Sequence, residues 1–178
     1  ESFPAFRPGG GIRADGGPAD PDWTICPSLQ ARRVANGSVA LDGRLDDAAW
    51  RDADTGGDFT EFNPSRGTPA SVPTTFKVVY DDDAFYFGVA CWEKDMELVS
   101  SALSKRDRIE NSDLISIYID PYLDLNTGYN FRVNPEGVLQ DAYVFDNGHR
   151  DNDWSTVWEA ETWRDEHGWY AEMRVPFS

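Results

Sequence analysis

In the stretch from Asp113 to Asp120 apolar side chains fall on every second position, with Ile115, Ile117 and Ile119 alternating against Leu114, Ser116 and Tyr118. A period of two marks an extended strand with one buried face, because successive side chains of a strand point to opposite sides of its sheet. The three isoleucines are therefore expected to face a core. The same rhythm returns as paired runs joined by turns. Phe76 to Tyr80 and Ala84 to Val89 flank Asp81-Asp82-Asp83, residues suited to Asx-type turns. Tyr129 to Asn134 and Val138 to Phe145 flank Pro135-Glu136-Gly137, and Val157 to Arg164 and Trp169 to Val175 flank Asp165-Glu166-His167-Gly168. Three hairpins and a lone strand make at least seven strands, enough for two packed layers. The expected fold is all-β: a two-sheet antiparallel β-sandwich with jelly-roll or immunoglobulin-like layers. One short helix is expected near Asp46–Trp50, capped by Asp46, with Trp50 packed against the sandwich.

Residues 1–33 lack this rhythm. They are dense in Gly, Pro and Asp, as in Pro8-Gly9-Gly10-Gly11, and carry only Phe3, Phe6, Trp23 and Ile25 as apolar anchors. Such composition predicts an extended tail or linker over 1–33 and the sandwich over 34–178. The chain opens at Glu1 without a charged-then-apolar leader, as the mature form of an exported protein would.

Charge narrows the partners. Thirty-two acidic against sixteen basic residues leave a net charge of −16, which repels phosphate backbones and anionic head groups, so no nucleic acid is expected as a partner. No apolar run approaches the ~18 residues of a spanning helix, and direct membrane insertion by this segment is not expected. No nucleophile elbow or comparable signature flags a catalytic centre, and His149 and His167 both lie in glycine-containing loops. The chain is expected not to be an enzyme.

Two cysteines, Cys26 and Cys91, are too few and too far apart for a zinc framework. Either they join as one disulfide in an oxidising compartment, or Cys91 is an ordinary buried thiol. Asp120, Asp124 and Asn126 gather oxygen donors in one loop, which suits calcium as a cofactor and equally suits a solvated turn. Met173 shares the Trp169, Ala171 and Val175 face and reads as core filler, not as a haem ligand.

The run Leu41-Asp42-Gly43-Arg44-Leu45-Asp46-Asp47-Ala48-Ala49-Trp50 resembles the opening motif of family 9 carbohydrate-binding modules, a DOMON-like sandwich family. Val78 to Phe87, Asp113 to Asp120, Phe131-Arg132-Val133-Asn134 and Gly168 to Phe177 resemble later segments of that family in the same order. Lys105-Arg106-Asp107 and Asp153 to Trp158 look most like a subgroup that precedes an outer-membrane β-barrel-like domain of unknown function. Relatives continue beyond the last residues here, so the chain is expected to be the leading part of a longer polypeptide.

This resemblance implies an extracytoplasmic, non-catalytic module that binds a polysaccharide or oligosaccharide. The alternative is a docking domain that packs on its own C-terminal barrel or a partner subunit. Through Phe-Arg-Val-Asn, Arg132 matches an arginine that contacts sugar in the family. An acidic sugar-binding position of the family corresponds to Ser116, and the Trp that precedes the central strand is replaced by Ile109-Glu110-Asn111. Sugar binding needs flat aromatic faces and planar polar groups. On that ground the candidate ligand residues are Arg132, Trp92, Trp154, Asn130, Asn134 and Ser116, with Trp163 a further exposed ring. Arg132 has a structural alternative, an ion pair with Asp141 or Glu172. Trp50, Trp158 and Trp169 are expected in the core.

Overall fold

The structure is a computed structural model that describes residues 29–64, 66–146 and 148–177. Cys26, and with it the Cys26–Cys91 pairing, lies outside the described residues, as do Phe3, Phe6, Trp23 and Ile25.

Two sheets carry the fold. The first contains β1 (Arg32–Arg33), β2 (Thr74–Tyr80), β3 (Ala84–Cys91), β9 (Gly168–Pro176) and β8 (Glu159–Asp165), in the spatial order β1-β2-β3-β9-β8. The second contains β4 (Ile115–Ile119), β5 (Gly128–Val133), β6 (Leu139–Phe145) and β7 (His149–Asp151), ordered β4-β5-β6-β7. Each of the three hairpins read from the sequence forms, as β2–β3, β5–β6 and β8–β9. Arg32–Arg33, drawn into the tail by composition, instead pairs in parallel with β2 through Arg32↔Val79 and Arg33↔Tyr80. All other named strand pairs are antiparallel.

The inner faces meet as the alternation requires. Ile115, Phe131 and Val133 of the four-stranded sheet pack with Val89, Ala171, Met173 and Val175 of the five-stranded sheet, and Ile117 and Ile119 lie against them. Trp158 and Trp169 belong to the same buried cluster. Each large apolar side chain buried this way contributes about 1.5–3 kcal/mol. Cys91 sits here too, and burial pushes its thiol up to about 11.

A second cluster covers the outer face of the five-stranded sheet, where Trp50, Ala53, Val79, Ala84 and Tyr86 pack with Val34, Val39 and Leu45. The helix α1 (Ala48–Arg51) begins one residue later than a cap at Asp46 would set it. Its N-cap is Asp47, whose carboxylate accepts the Ala40 N–H at 2.8 Å and bonds no amide of the helix itself. What holds the helix is Trp50, which is 1% exposed. Gly88 makes room for it: a Cβ there would stand 2.5 Å from Leu45 Cδ2 and 3.3 Å from the Trp50 ring. The five-stranded sheet is thus covered on both sides, and the four-stranded sheet keeps an outer face of its own.

Candidate functional site on the outer face of the four-stranded sheet

Strand register decides which side chains share that face. Ser116 stands opposite Arg132 and Tyr118 opposite Asn130; Arg132 pairs onward with Gln140, and Asn130 with Ala142. Val144 then pairs with Arg150. Since Ile115, Ile117, Phe131 and Val133 take the core side, alternation puts Ser116, Tyr118, Asn130, Arg132, Gln140 and Arg150 on the other.

Arg150 donates from Nη1 to the Tyr118 hydroxyl at 3.3 Å. The bond runs from β7 to β4, so the sheet curls enough for one side chain to reach another across β5 and β6. The row between them, Asn130 and Ala142, is 0% exposed although it lies on the outer side of the sheet. Arg132 also hydrogen-bonds Tyr118. Burial raises the Tyr118 pKa, but that hydrogen bond and the charges of Arg150 and Arg132 outweigh it, and the phenol ends below its ordinary range. Arg150 is pulled down, first by burial and then by the like charge of Arg132.

Polar atoms are left over on this face. Asn130 donates from Nδ2 to Ser116 Oγ at 2.8 Å and to the Ile117 carbonyl at 2.9 Å. Its Oδ1, together with Arg132 Nε and Arg150 Nη2, is buried and has no partner among the described residues. Native structures rarely leave buried polar groups so, and three on one face form a cluster of ready donors and acceptors.

Neither expected carboxylate partner reaches Arg132. Asp141 lies on the opposite side of β6, 0% exposed, and accepts from Arg106 Nη2 and the Thr156 N–H, each at 2.7 Å. Glu172 is in the other sheet and accepts from Trp50 Nε1 at 2.8 Å. The ion-pair alternative for Arg132 is therefore corrected: both acids are held elsewhere.

Three other expected ligand residues lie apart from this group. Trp154 stacks on Tyr129 at 4.8 Å and meets Phe131 edge-on at 6.4 Å, so it packs at the margin of the core on the far side of β5. Asn134 is a structural turn residue. Its Oδ1 accepts the Glu136 and Val138 N–H groups while its Nδ2 donates to the Ala102 carbonyl, and it is 0% exposed. Trp92 belongs to the other sheet. It bonds Thr75 Oγ1 at 3.2 Å, meets Tyr170 edge-on, and lines a cleft of about 440 Å³ with Pro73, Glu93, Lys94, Glu166 and His167. The structure brings together Arg132, Asn130 and Ser116, and adds Tyr118, Gln140 and Arg150.

Residues 41–178 match the sequence profile of the carbohydrate family 9 binding domain-like family. The chain belongs to that family.

Solved structures repeat this family 9 fold at low identity. A family 9 carbohydrate-binding module from Caldicellulosiruptor kristjanssonii, solved with cellotriose, is 19% identical with a TM-score of 0.54, over 83% of this chain and 68% of that one. The module solved with glucose gives the same identity and score, over 70% of its length. A candidate carbohydrate-binding protein from Bacteroides uniformis is 17% identical with a TM-score of 0.59, over 83% and 72% of the two chains. No curated protein matches significantly.

In this family 9 domain the carboxylates of the loop after β4 bond the loop's own backbone. Asp120 accepts the N–H groups of Tyr122, Asp124 and Leu125, and Asp124 accepts those of Asn126 and Thr127 and the Thr127 hydroxyl. No group of three His, Cys, Asp or Glu suited to a metal occurs among the described residues. In this arrangement Asp120 and Asp124 brace the backbone of their own loop.

Proposed function

We propose that this family 9 domain is a non-catalytic carbohydrate-binding module that receives a glycan on the outer face of β4 to β7. The observation that carries the reading is the trio of partnerless buried atoms, Asn130 Oδ1, Arg132 Nε and Arg150 Nη2. A sugar ring supplies hydroxyls that both donate and accept, and planar amide and guanidinium groups fix their orientation. The reading goes with an extracytoplasmic place, in the periplasm, the outer membrane or the cell surface, where structural polysaccharides are met. No helix among the described residues is long and apolar enough to cross a membrane.

One observation favours a second reading. Neither Trp92 nor Trp154 lies beside Arg132, so no flat tryptophan platform flanks the polar cluster among the candidate rings. A docking domain packing on a following barrel-like region or a partner subunit needs no such platform.

A glycan array followed by calorimetry on the whole chain separates the two. The module reading expects saturable binding that Arg132→Ala reduces by about tenfold or more, the scale of one lost charge-assisted hydrogen bond. Folded protein that binds no saccharide leaves the docking reading in its place.

A further inference from the structure

Building on the glycan reading, we propose that the outer face of β4 to β7 selects an anionic sugar, with the carboxylate of a uronate seated between Arg132 and Arg150 and a neighbouring sugar hydroxyl donating to Asn130 Oδ1. The argument begins with charge. Acidic residues outnumber basic ones thirty-two to sixteen in this chain. Arg32, Arg33, Arg106, Arg164 and Arg174 each pair with a carboxylate. Arg44, Arg51, Arg66, Arg108, Arg132 and Arg150 have no carboxylate partner among the described residues, and of these six Arg132 and Arg150 alone are partly buried.

Placement explains why. No position that β4 to β7 present on this face is Asp or Glu, and Asp141 and Asp151 fall on the opposite side by alternation. Two cations therefore share a partly desolvated surface, close enough that Arg132 disfavours the charge on Arg150. The Tyr118 oxygen links them. Like charges in low dielectric repel, and an anion placed between them relieves both the repulsion and the unmet N–H groups.

The leftover atoms also define the shape of the ligand. Arg132 Nε and Arg150 Nη2 are donors and suit an acceptor-only group; Asn130 Oδ1 is an acceptor and suits a hydroxyl. A carboxylate with a hydroxyl on the next ring carbon supplies both, and arginine forks match carboxylate geometry. A sulfate ester beside a hydroxyl offers the same chemistry, so the test carries both.

The experiment is calorimetric titration of the 178-residue chain with an oligogalacturonate, a sulfated oligosaccharide and a cello-oligosaccharide of equal length. It is run on the wild type, on Arg150→Gln, and on Arg51→Gln, which removes the same charge from the distant helix α1. Circular dichroism first establishes that each variant is folded. The expected result is that an anionic ligand binds about tenfold or more tightly than the neutral one and that the preference weakens as salt rises from about 0.05 to about 0.5 M. Arg150→Gln brings the two ligands to parity, and Arg51→Gln leaves the preference intact. A preference for the sulfated ligand alone supports the anion seat and assigns it to sulfate. Neutral binding as tight as anionic binding, unaffected by Arg150→Gln, overturns the inference and leaves the glycan reading standing. Absence of binding to all three by folded protein overturns both.

Discussion

Trp50 donates its indole N–H to Glu172 at 2.8 Å, and this bond fastens α1 to the middle of the five-stranded sheet. The carboxylate is 1% exposed and also accepts the N–H groups of Asp42 and Gly43, each at 2.9 Å. The opening motif is thereby explained: its Asp-Gly pair and its Trp all bind one buried acid. Burial raises the Glu172 pKa, and the three N–H donors only partly offset it. A carboxyl whose native pKa exceeds the unfolded one takes up a proton on folding between the two values, so its contribution to stability falls as pH rises through that window. Glu172→Gln puts an NH2 donor opposite a donor and is expected to cost about 1–3 kcal/mol at neutral pH. The deficit relative to wild type should widen as pH is lowered toward the unfolded value. Urea unfolding of both proteins at a series of pH values measures it, and a deficit that shrinks toward acid would contradict the assignment.

Gly43 is the most constrained position of that motif. Its φ is +81°, and a Cβ would stand 2.7 Å from both the Thr162 carbonyl carbon and the Trp163 nitrogen, which are backbone atoms of β8. Gly43→Ala combines a left-handed backbone with a clash that no side-chain rotation relieves. A loss of about 2–4 kcal/mol is expected, read from the denaturant midpoint at unchanged slope.

Asp141 is a second buried acid, held differently. It is 0% exposed while its partner Arg106 keeps 40% of its side-chain surface. Removing the arginine strands a buried charge that, among the described residues, retains the Thr156 N–H and has no second cation within reach. Arg106→Met is expected to cost about 2–4 kcal/mol. The double variant with Asp141→Leu should lose less than the sum of the singles, because the stranded charge is then gone. Additive losses in that cycle would mean the pair does not act as a unit.

What was legible in the sequence follows the range over which each feature is decided. Hairpins and the isoleucine face are local, set by alternation and turn residues, and all of them formed as read. Arg132 was visible through its motif. Tyr118 and Arg150 were not flagged, because they meet only when β7 curls back over β4, a relation no local pattern encodes. Trp154 and Asn134 lie off that face for the same reason: stacking on Tyr129 and closure of the 134–138 turn are tertiary events. Arg32–Arg33 carried too little apolar signal to show as a strand, and its pairing rests on backbone bonds and on the ion pair of Arg33 with Asp82.

The loop from Asp120 to Thr127 tests whether acidic clustering means metal here. Its carboxylates already satisfy five backbone N–H groups, and hydrogen bonds from Thr127 and Asn126 hold Asp124 below the usual carboxylate range. A depressed native pKa contributes stability that is present above the unfolded value and lost as pH falls through the native one. Millimolar calcium, or its removal by chelator, is expected to leave the melting temperature within about 1 °C. Asp124→Ala should lower it with or without calcium. A rise of several degrees on calcium addition, abolished by Asp124→Ala, would restore the metal reading.

Tyr118 offers a direct probe of the proposed glycan face, because three tyrosines titrate in opposite senses. Arg132 and Arg150 pull Tyr118 below the ordinary phenol range, whereas burial raises Tyr86 and pushes Tyr170 up to about 12. Ultraviolet titration should show an early phenolate step that Tyr118→Phe removes. The same variant deletes the oxygen that accepts from Arg150 at 3.3 Å, leaving both guanidiniums to splay apart. Glycan affinity is then expected to fall several-fold, about the worth of one hydrogen bond to a charged group, with little change in melting temperature since the phenol is only half-buried. Trp92→Ala is the contrasting variant. It opens the cleft on the other sheet and should leave affinity within about twofold, as expected of a change more than a few contacts from the ligand. Loss of binding in Trp92→Ala with full binding in Tyr118→Phe would move the site to the Trp92 cleft, where one exposed indole beside Tyr170 would have to supply the platform the four-stranded face lacks.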